Sequence, residues 1–379
     1  MPIIEIKSVL MQQQLIMDAC KTIPIEANTI MLVDGHGFNF TETLSSVRDY
    51  HQVVVFFEYN EASTLQQIED HIKNNPILEG KRIILINNDF NGWHQVVNTG
   101  LDIEFGLYPD AFIRGQNYQK KKVSSSPDQV SRDFVNTSFK VRWSKIIALM
   151  ALDSENLLDH GYVSMSDRKF KPSPVLQWHE YPTTQQHVME ILNCHWGKNY
   201  CQSVKSWIVR QADLLQKKLP LMLDIDFRNR DDWKFRDIGY TNTVDPYLQD
   251  SWFDVVVEDA VPQLVMDDDV VIFTEKTVKS IAWGRPFLLY GKPGQLDALR
   301  QLGFRTFSPW FDESYDDVDH HIHRAQHLAR CVKKICELSL SDKMKIWNEL
   351  QEITAHNQKN LFTIKNKIYW KPIKEFKWK

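Results

Sequence analysis

The feature that most constrains this chain is a series of short apolar runs, rich in β-branched residues, each followed closely by a turn-forming or acidic residue. Thr29-Ile-Met-Leu-Val33 runs into Asp34-Gly35-His36-Gly37, Val53-Val-Val-Phe-Phe57 into Glu58, and Arg82-Ile-Ile-Leu-Ile86 into Asn87-Asn88-Asp89. Later, Phe253-Asp-Val-Val-Val257 runs into Glu258-Asp259, Val270-Val-Ile-Phe273 into Thr274, and Pro286-Phe-Leu-Leu-Tyr290 into Gly291-Lys-Pro-Gly294. Runs of this length without polar alternation suit strands buried on both faces. A shorter run at 221–225 reads as one more strand. Between them, residues 63–74, 141–158, 185–215, 274–282, 295–302, 320–338 and 342–357 carry helical patterns. Strands alternating with helices predict an α/β fold with parallel sheets.

A chain of 379 residues is long for one core and suits two domains. Residues 120–127 read as an exposed loop, and His160-Gly161 as a helix stop. The stretch 166–174, with Pro172, Pro174 and several charges, reads as the linker. The expected domains are therefore 1–165 and 166–360, followed by a basic aromatic segment, 361–379. A net charge of −4 does not mark the whole chain as a nucleic-acid binder. No run reaches the ~20 apolar residues of a bilayer span, and Met1-Pro-Ile-Ile-Glu5 does not open a signal peptide. The five cysteines match no zinc spacing and read as reduced packing thiols. Together these features lead us to expect a soluble cytoplasmic protein without a membrane partner.

The most informative stretch is Phe273-Thr-Glu-Lys-Thr-Val-Lys-Ser-Ile-Ala-Trp-Gly-Arg-Pro-Phe-Leu-Leu-Tyr-Gly291. It reads as strand, helix N-terminus, helix, Gly-x-Pro break and strand. Thr274, Glu275 and Lys276 then stand at the carboxyl end of a strand, where open α/β sheets bind ligands. The first-turn amides can receive a phosphate. Lysine adds a point charge for a diphosphate, and a carboxylate can accept from both hydroxyls of a ribose.

With Glu258 upstream and Gly284-Arg285-Pro286 downstream, the segment resembles the donor-binding motif of GT-B glycosyltransferases, in particular the fucosyltransferase-like group. It resembles more closely a set of bacteriophage and large-virus glycosyltransferase-like proteins. These continue as this chain does in Gly303-Phe-Arg-Thr-Phe307 and Asp312-Glu-Ser-Tyr-Asp316. A weaker match lies upstream, where Arg142 and Lys145 open a helix ending in Leu158-Asp-His-Gly161. The likeness covers about 135–165 and 250–360.

The resemblance implies two Rossmann-like domains facing across a cleft, with the donor held by the second. It implies that Glu275 binds ribose, Lys276 and either Arg142 or Lys145 bind diphosphate, and Glu258 binds the donor sugar. It implies no obligatory metal and no cofactor beyond the nucleotide-sugar co-substrate. An inverting reaction would need a carboxylate base in the first domain. Asp34, at a strand end beside His36, is the first choice, with Glu58 and Asp89 similarly placed; none matches a family motif. The viral likeness implies the host cytoplasm, and double-stranded phage DNA bearing hydroxymethylated bases as an acceptor, with a glycan as the other candidate.

Plainer readings stand beside these. Lys276 and Lys279 could be a solvated helix face and Glu275 a charge favoured by the helix dipole. Asp224-Ile-Asp226 could hold a divalent ion on one strand face, although so short a match arises readily by chance. His320, His321, His323 and His327 read as a polar helix face. His323 and His327 have zinc-compatible spacing but no third ligand in the sequence. The segment 365–379, six lysines among Tyr369, Trp370, Phe376 and Trp378, suits either nucleic acid or aromatic docking on the core. Lys205, Arg210, Lys217 and Lys218 could add a basic helix. A non-catalytic nucleotide or nucleic-acid binder on a degenerate transferase fold is the competing class.

Overall fold

The apolar runs form parallel strands in two separate sheets. The computed structural model describes residues 3–6, 29–34, 52–57, 81–87, 103–107, 109–118, 125–137, 143–165, 200–219, 221, 246–258, 271 and 273–365. The first sheet contains β1 (Ile3–Ile6), β2 (Thr29–Asp34), β3 (Gln52–Phe57), β4 (Arg82–Asn87) and β5 (Ile103–Leu107). They lie in chain order, each parallel to the next. Ile84 and Ile86 are fully buried, as an unalternating run requires. A short helix, α1 (Asp110–Gly115), follows β5.

The second sheet contains β6 (Arg132–Thr137), β7 (Gly161–Ser164), β8 (Ser251–Val257) and β9 (Phe287–Tyr290), in the order β7-β6-β8-β9, again all parallel. Helix α2 (Trp143–Ser154) joins β6 to β7, α3 (Gln202–Lys218) lies between β7 and β8, and α4 (Glu275–Ala282) between β8 and β9. Helices α5 (Gln295–Gln301), α6 (His321–Cys336) and α7 (Leu340–Thr363) complete the unit. The chain steps one way from β6 to β7 and the other way from β8 to β9. The winding therefore reverses between β6 and β8, the kind of point where open sheets part at their carboxyl edge.

Every residue of β8 and β9 is buried, including Asp254 in mid-strand. That charge is matched by Arg285, which is 1% exposed. All five guanidinium N–H groups are used: one goes to Asp254 Oδ1 at 2.6 Å, and the rest to Leu248 O, Ser251 O, Ser251 Oγ and Phe253 O. Ser280 Oγ donates to the other Asp254 oxygen at 2.6 Å. Aromatic rings fill the space nearby, with Phe253 against Phe134 and Phe311, and Phe287 edge-on to Phe307.

The chain divides into two compact units, one of residues 1–114, 263–272 and 363–379, the other of 115–262 and 273–362. This departs from the expected division at 165, because β6 pairs with β8 as well as β7. Linker-like composition at 166–174 says nothing about which sheet the preceding strand joins. The helix stop is also elsewhere: α2 ends through Asn156 at φ 59°, with Leu157 N donating to Leu152 O. Gly161 serves close approach instead, since a Cβ there would sit 2.3 Å from the Phe134 ring. Val271 and Phe273 lie outside regular structure, so the expected strand at 270–273 is not formed at those residues, and Leu221 makes one antiparallel bridge to Met165. The expected helix at 63–74 lies outside the described residues. No helix among the described residues is long and apolar enough to cross a membrane.

Candidate functional site

The end of β8 and the start of α4 form one polar cluster. An α-helix begins with amides that have no partner inside it. Here two side chains serve them. Thr274 is the N-cap, extended in backbone, and its Oγ1 accepts from Lys276 N at 3.4 Å. Glu258, one residue past β8, accepts from Thr274 N at 3.1 Å and Thr277 N at 3.4 Å. The Thr274 and Thr277 hydroxyls donate to the same carboxyl group. Glu258 is 2% exposed. Burial pushes its carboxyl up, while the Lys276 charge and the two threonine hydroxyls pull the other way.

This arrangement bears on two expectations. The Thr274, Lys276 and Thr277 amides already have acceptors, so the start of α4 is not an open phosphate nest. Glu258, expected at the donor sugar, is buried among four donors and anchors the α4 N-terminus. Glu275 reaches outward, and Lys276, its side chain 19% exposed, lies beside it. Glu275 is about half exposed at its side chain, and Lys276 Nζ lies 3.2 Å from Glu275 Oε1 and 3.1 Å from Thr274 Oγ1. Lys279, one turn on, adds a second ammonium, which burial pushes down against the pull of Glu275.

The Gly-x-Pro break has a structural task. Gly284 has φ 65°, Gly284 N donates to Ile281 O, and Arg285 N donates to Ser280 O at 2.9 Å. These bonds close α4 as a Schellman cap that a glycine accommodates without strain. Arg285 then enters the Asp254 network. In the downstream block, Asp316 accepts from Leu296 N at 2.9 Å and so caps α5, and Tyr315, fully buried, accepts from Leu289 N through its hydroxyl oxygen at 3.1 Å. Glu313 accepts from Phe307 N at 2.6 Å and Arg300 at 2.7 Å.

Across the winding reversal, β6 and β8 present their carboxyl ends on the same edge. Two buried atoms in this region have no hydrogen-bond partner: Asn136 Oδ1 on β6 and Ser144 Oγ in the first turn of α2. Sequence reading missed both, although a lone Asn inside the apolar run Phe134-Val-Asn136 is a signal that something polar is wanted there. Lys145 stands beside Ser144 and is 3% exposed. Arg142 lies outside the described residues.

Asp34 is the last residue of β2, in register with Phe57 of β3, at the strand end expected of it. Glu58, Asp89, Asp224, Asp226 and the segment 366–379 lie outside the described residues. The histidines do not form a uniform polar face. His320 caps α6 by accepting from His323 N and stacks on the His323 ring, while His321 meets the Tyr200 hydroxyl. Burial holds the His321 imidazole well below its usual value. His323 stacks on His320, whereas His327 Nε2 lies 3.9 Å from Asp312 Oδ2. On α3, Lys218 is spent on Asp153 at 2.5 Å. Comparison of the chain with protein-family models, curated proteins and solved structures gives no match.

Proposed function

We propose that this chain is a glycosyltransferase that moves a sugar from a nucleotide-sugar donor to an acceptor hydroxyl, in the two-domain arrangement of GT-B enzymes. The observation that carries the reading is the Glu258–Thr274–Thr277 lock, which fixes Glu275 and Lys276 on a rigid helix start beside a reversal of a parallel sheet. Ligands of open α/β sheets settle at such reversals. In this reading Glu275 accepts from the ribose hydroxyls, and Lys276, with Lys145 or Arg142, neutralises the diphosphate. Glu258 positions them and touches no substrate. Ser144 Oγ would donate to a phosphate oxygen, and the buried Asn136 Oδ1 would accept from a donor hydroxyl.

Transfer needs stabilisation of the leaving diphosphate and removal of the acceptor proton. Fixed positive side chains can supply the first without reorganisation. Asp34 would supply the second as general base. A hydroxymethylated base in duplex DNA suits such an enzyme because its hydroxyl is reachable from the major groove or after flipping; a glycan is the other acceptor to test.

The test is a thermal-shift panel of UDP-, GDP-, ADP- and CMP-linked sugars on the full chain and on Lys276→Ala, followed by transfer assays with modified duplex, plain duplex and glycan. Stabilisation by one donor, lost in the variant, and transfer to one acceptor support the proposal. Donor binding without transfer to any acceptor would favour a non-catalytic binder. No response to any nucleotide would remove the donor site.

A further inference from the structure

Two groups of His, Cys and Asp come together in the second unit, each with ligand atoms within 4.8 Å of one another: Asp133, His160 and Cys336; and Asp312, His327 and Cys331. They have the same chemistry and different surroundings. Asp133 Oδ1 accepts from Trp252 Nε1 at 3.0 Å and from Lys343 Nζ at 2.7 Å, and the Lys343 side chain is only 13% exposed. Asp133 Oδ2 lies 3.7 Å from His160 Nδ1, but the largely buried Lys343 ammonium already balances this carboxylate, and a divalent ion would set a second cation beside it. The first group is therefore an ion-pair network.

The second group differs in the exposure of its neighbouring ammonium. His327 and Cys331 are four apart on α6, so both project from one face. Asp312 comes from the loop before the turn Ser314–Asp317. Its Oδ1 is held by Ser314 N at 3.2 Å and by the Ser314 hydroxyl at 2.5 Å. That leaves Oδ2 turned to His327 Nε2, 3.9 Å away. Among the described residues, the ammonium paired with Oδ2 is Lys334 Nζ at 3.7 Å, and that side chain is 71% exposed and can swing into water at little cost. Bonds of ~2.0–2.3 Å to nitrogen, oxygen and sulfur place tetrahedral ligand atoms roughly 3.3–3.8 Å apart, so the observed spread closes with small side-chain rotations. Tethering of Oδ1 by Ser314 is the kind of outer contact that orients a metal carboxylate.

We propose that Asp312, His327 and Cys331 form a zinc-class divalent-metal site, with a fourth position left for water. One sulfur, one imidazole and one carboxylate favour a borderline-soft ion over magnesium or calcium. The site clamps the 312–317 segment to α6. That segment also supplies Tyr315 to the β9 backbone and Asp316 to the start of α5, so the metal would stiffen the carboxyl side of the second sheet. None of its ligands belongs to the cluster at Glu258, and the inference stands or falls independently of the donor reading.

The experiment is titration of the metal-free full chain with Co²⁺, read by thiolate-to-cobalt charge-transfer absorption and tetrahedral ligand-field bands, with Zn²⁺ as competitor. The expected result is a saturable band, erased by Zn²⁺, kept in Cys201→Ser and lost in Cys331→Ser with an unchanged circular-dichroism spectrum. Asp312→Asn, a change at an exposed residue, provides the second arm should Cys331→Ser fail to fold. It should weaken Co²⁺ binding by at least the ~10–100-fold that losing an outer partner of a metal ligand costs. No band in the unaltered chain, a band that survives Cys331→Ser, or affinity unchanged in Asp312→Asn would overturn the site.

Discussion

In the first sheet the strands stand in the order in which the chain makes them, β1 to β5. In the second, the chain lays down β6, steps outward to β7, then returns past β6 to place β8 and β9. Both are parallel and both are built from runs such as Val53–Phe57 and Val255–Val257. The difference lies in winding. A sheet that only advances gives successive crossovers no place to part among its described strands, whereas the β6/β8 reversal does. Around the second sheet stand the mid-strand charge Asp254, the buried Glu258 and two buried polar atoms without a hydrogen-bond partner, Asn136 Oδ1 on β6 and Ser144 Oγ on α2. Buried polarity of that density is costly unless it positions something. The proposed donor site is accordingly sought at the second sheet, and Asp34, at a strand end of the first, is the base proposed beside it.

Three changes in the second unit would sharpen or break this contrast. The largest effect should come from Arg285→Ala. Removing one member of a buried ion pair typically costs ~3–5 kcal/mol, and here the guanidinium also serves four main-chain or hydroxyl oxygens. Urea unfolding should show that loss; a change within error would mean the Asp254 network is not what supports β8.

Asp316 comes next, through pH. Burial raises its carboxyl from 3.8 to about 7. The folded chain therefore keeps a proton that the unfolded chain releases over that range. The contribution of this group to stability is full below about pH 4 and is lost as pH rises through about 7. Asp316→Asn removes that loss and should gain on the unaltered chain by up to ~4 kcal/mol between those limits. A stability difference that stays flat with pH would show that Asp316 titrates normally.

Thr274→Ala removes the α4 cap and one hydroxyl bond to Glu258, and should cost ~1 kcal/mol. Donor affinity should fall with it, because Glu275 and Lys276 depend on that helix start. Unchanged donor affinity in a destabilised Thr274→Ala would detach the lock from the site.

Much of the second unit was legible in the sequence. Thr274 as a helix opener, the β9 run and the break at Gly284 are local matters, set by side-chain capping, β-branching and positive φ. What could not be read were tasks that depend on distant partners. Nothing local says that Glu258 faces inward to Thr277, or that Arg285 threads back under β8. Nor does the sequence join Asp312 to His327, fifteen residues apart, because a loop must first fold against α6. The division into compact units differs from the expected boundary for the same reason: β6 belongs to the sheet of β8, a pairing across more than a hundred residues that no composition shift at 166–174 records. Strands β1, β5 and β7 are too short or too mixed to stand out as runs.

The most direct measurement is calorimetric titration of whichever nucleotide sugar stabilises the full chain, carried out on the unaltered protein, Lys276→Ala and Asp34→Asn. Loss of one charged hydrogen-bonding group should weaken donor binding by ~1.5–3 kcal/mol in Lys276→Ala, while Asp34→Asn should bind donor as the unaltered chain does and lose only turnover. Equal loss in both variants, or no binding of any nucleotide sugar to the unaltered chain, would contradict the assignment of donor recognition to the second sheet.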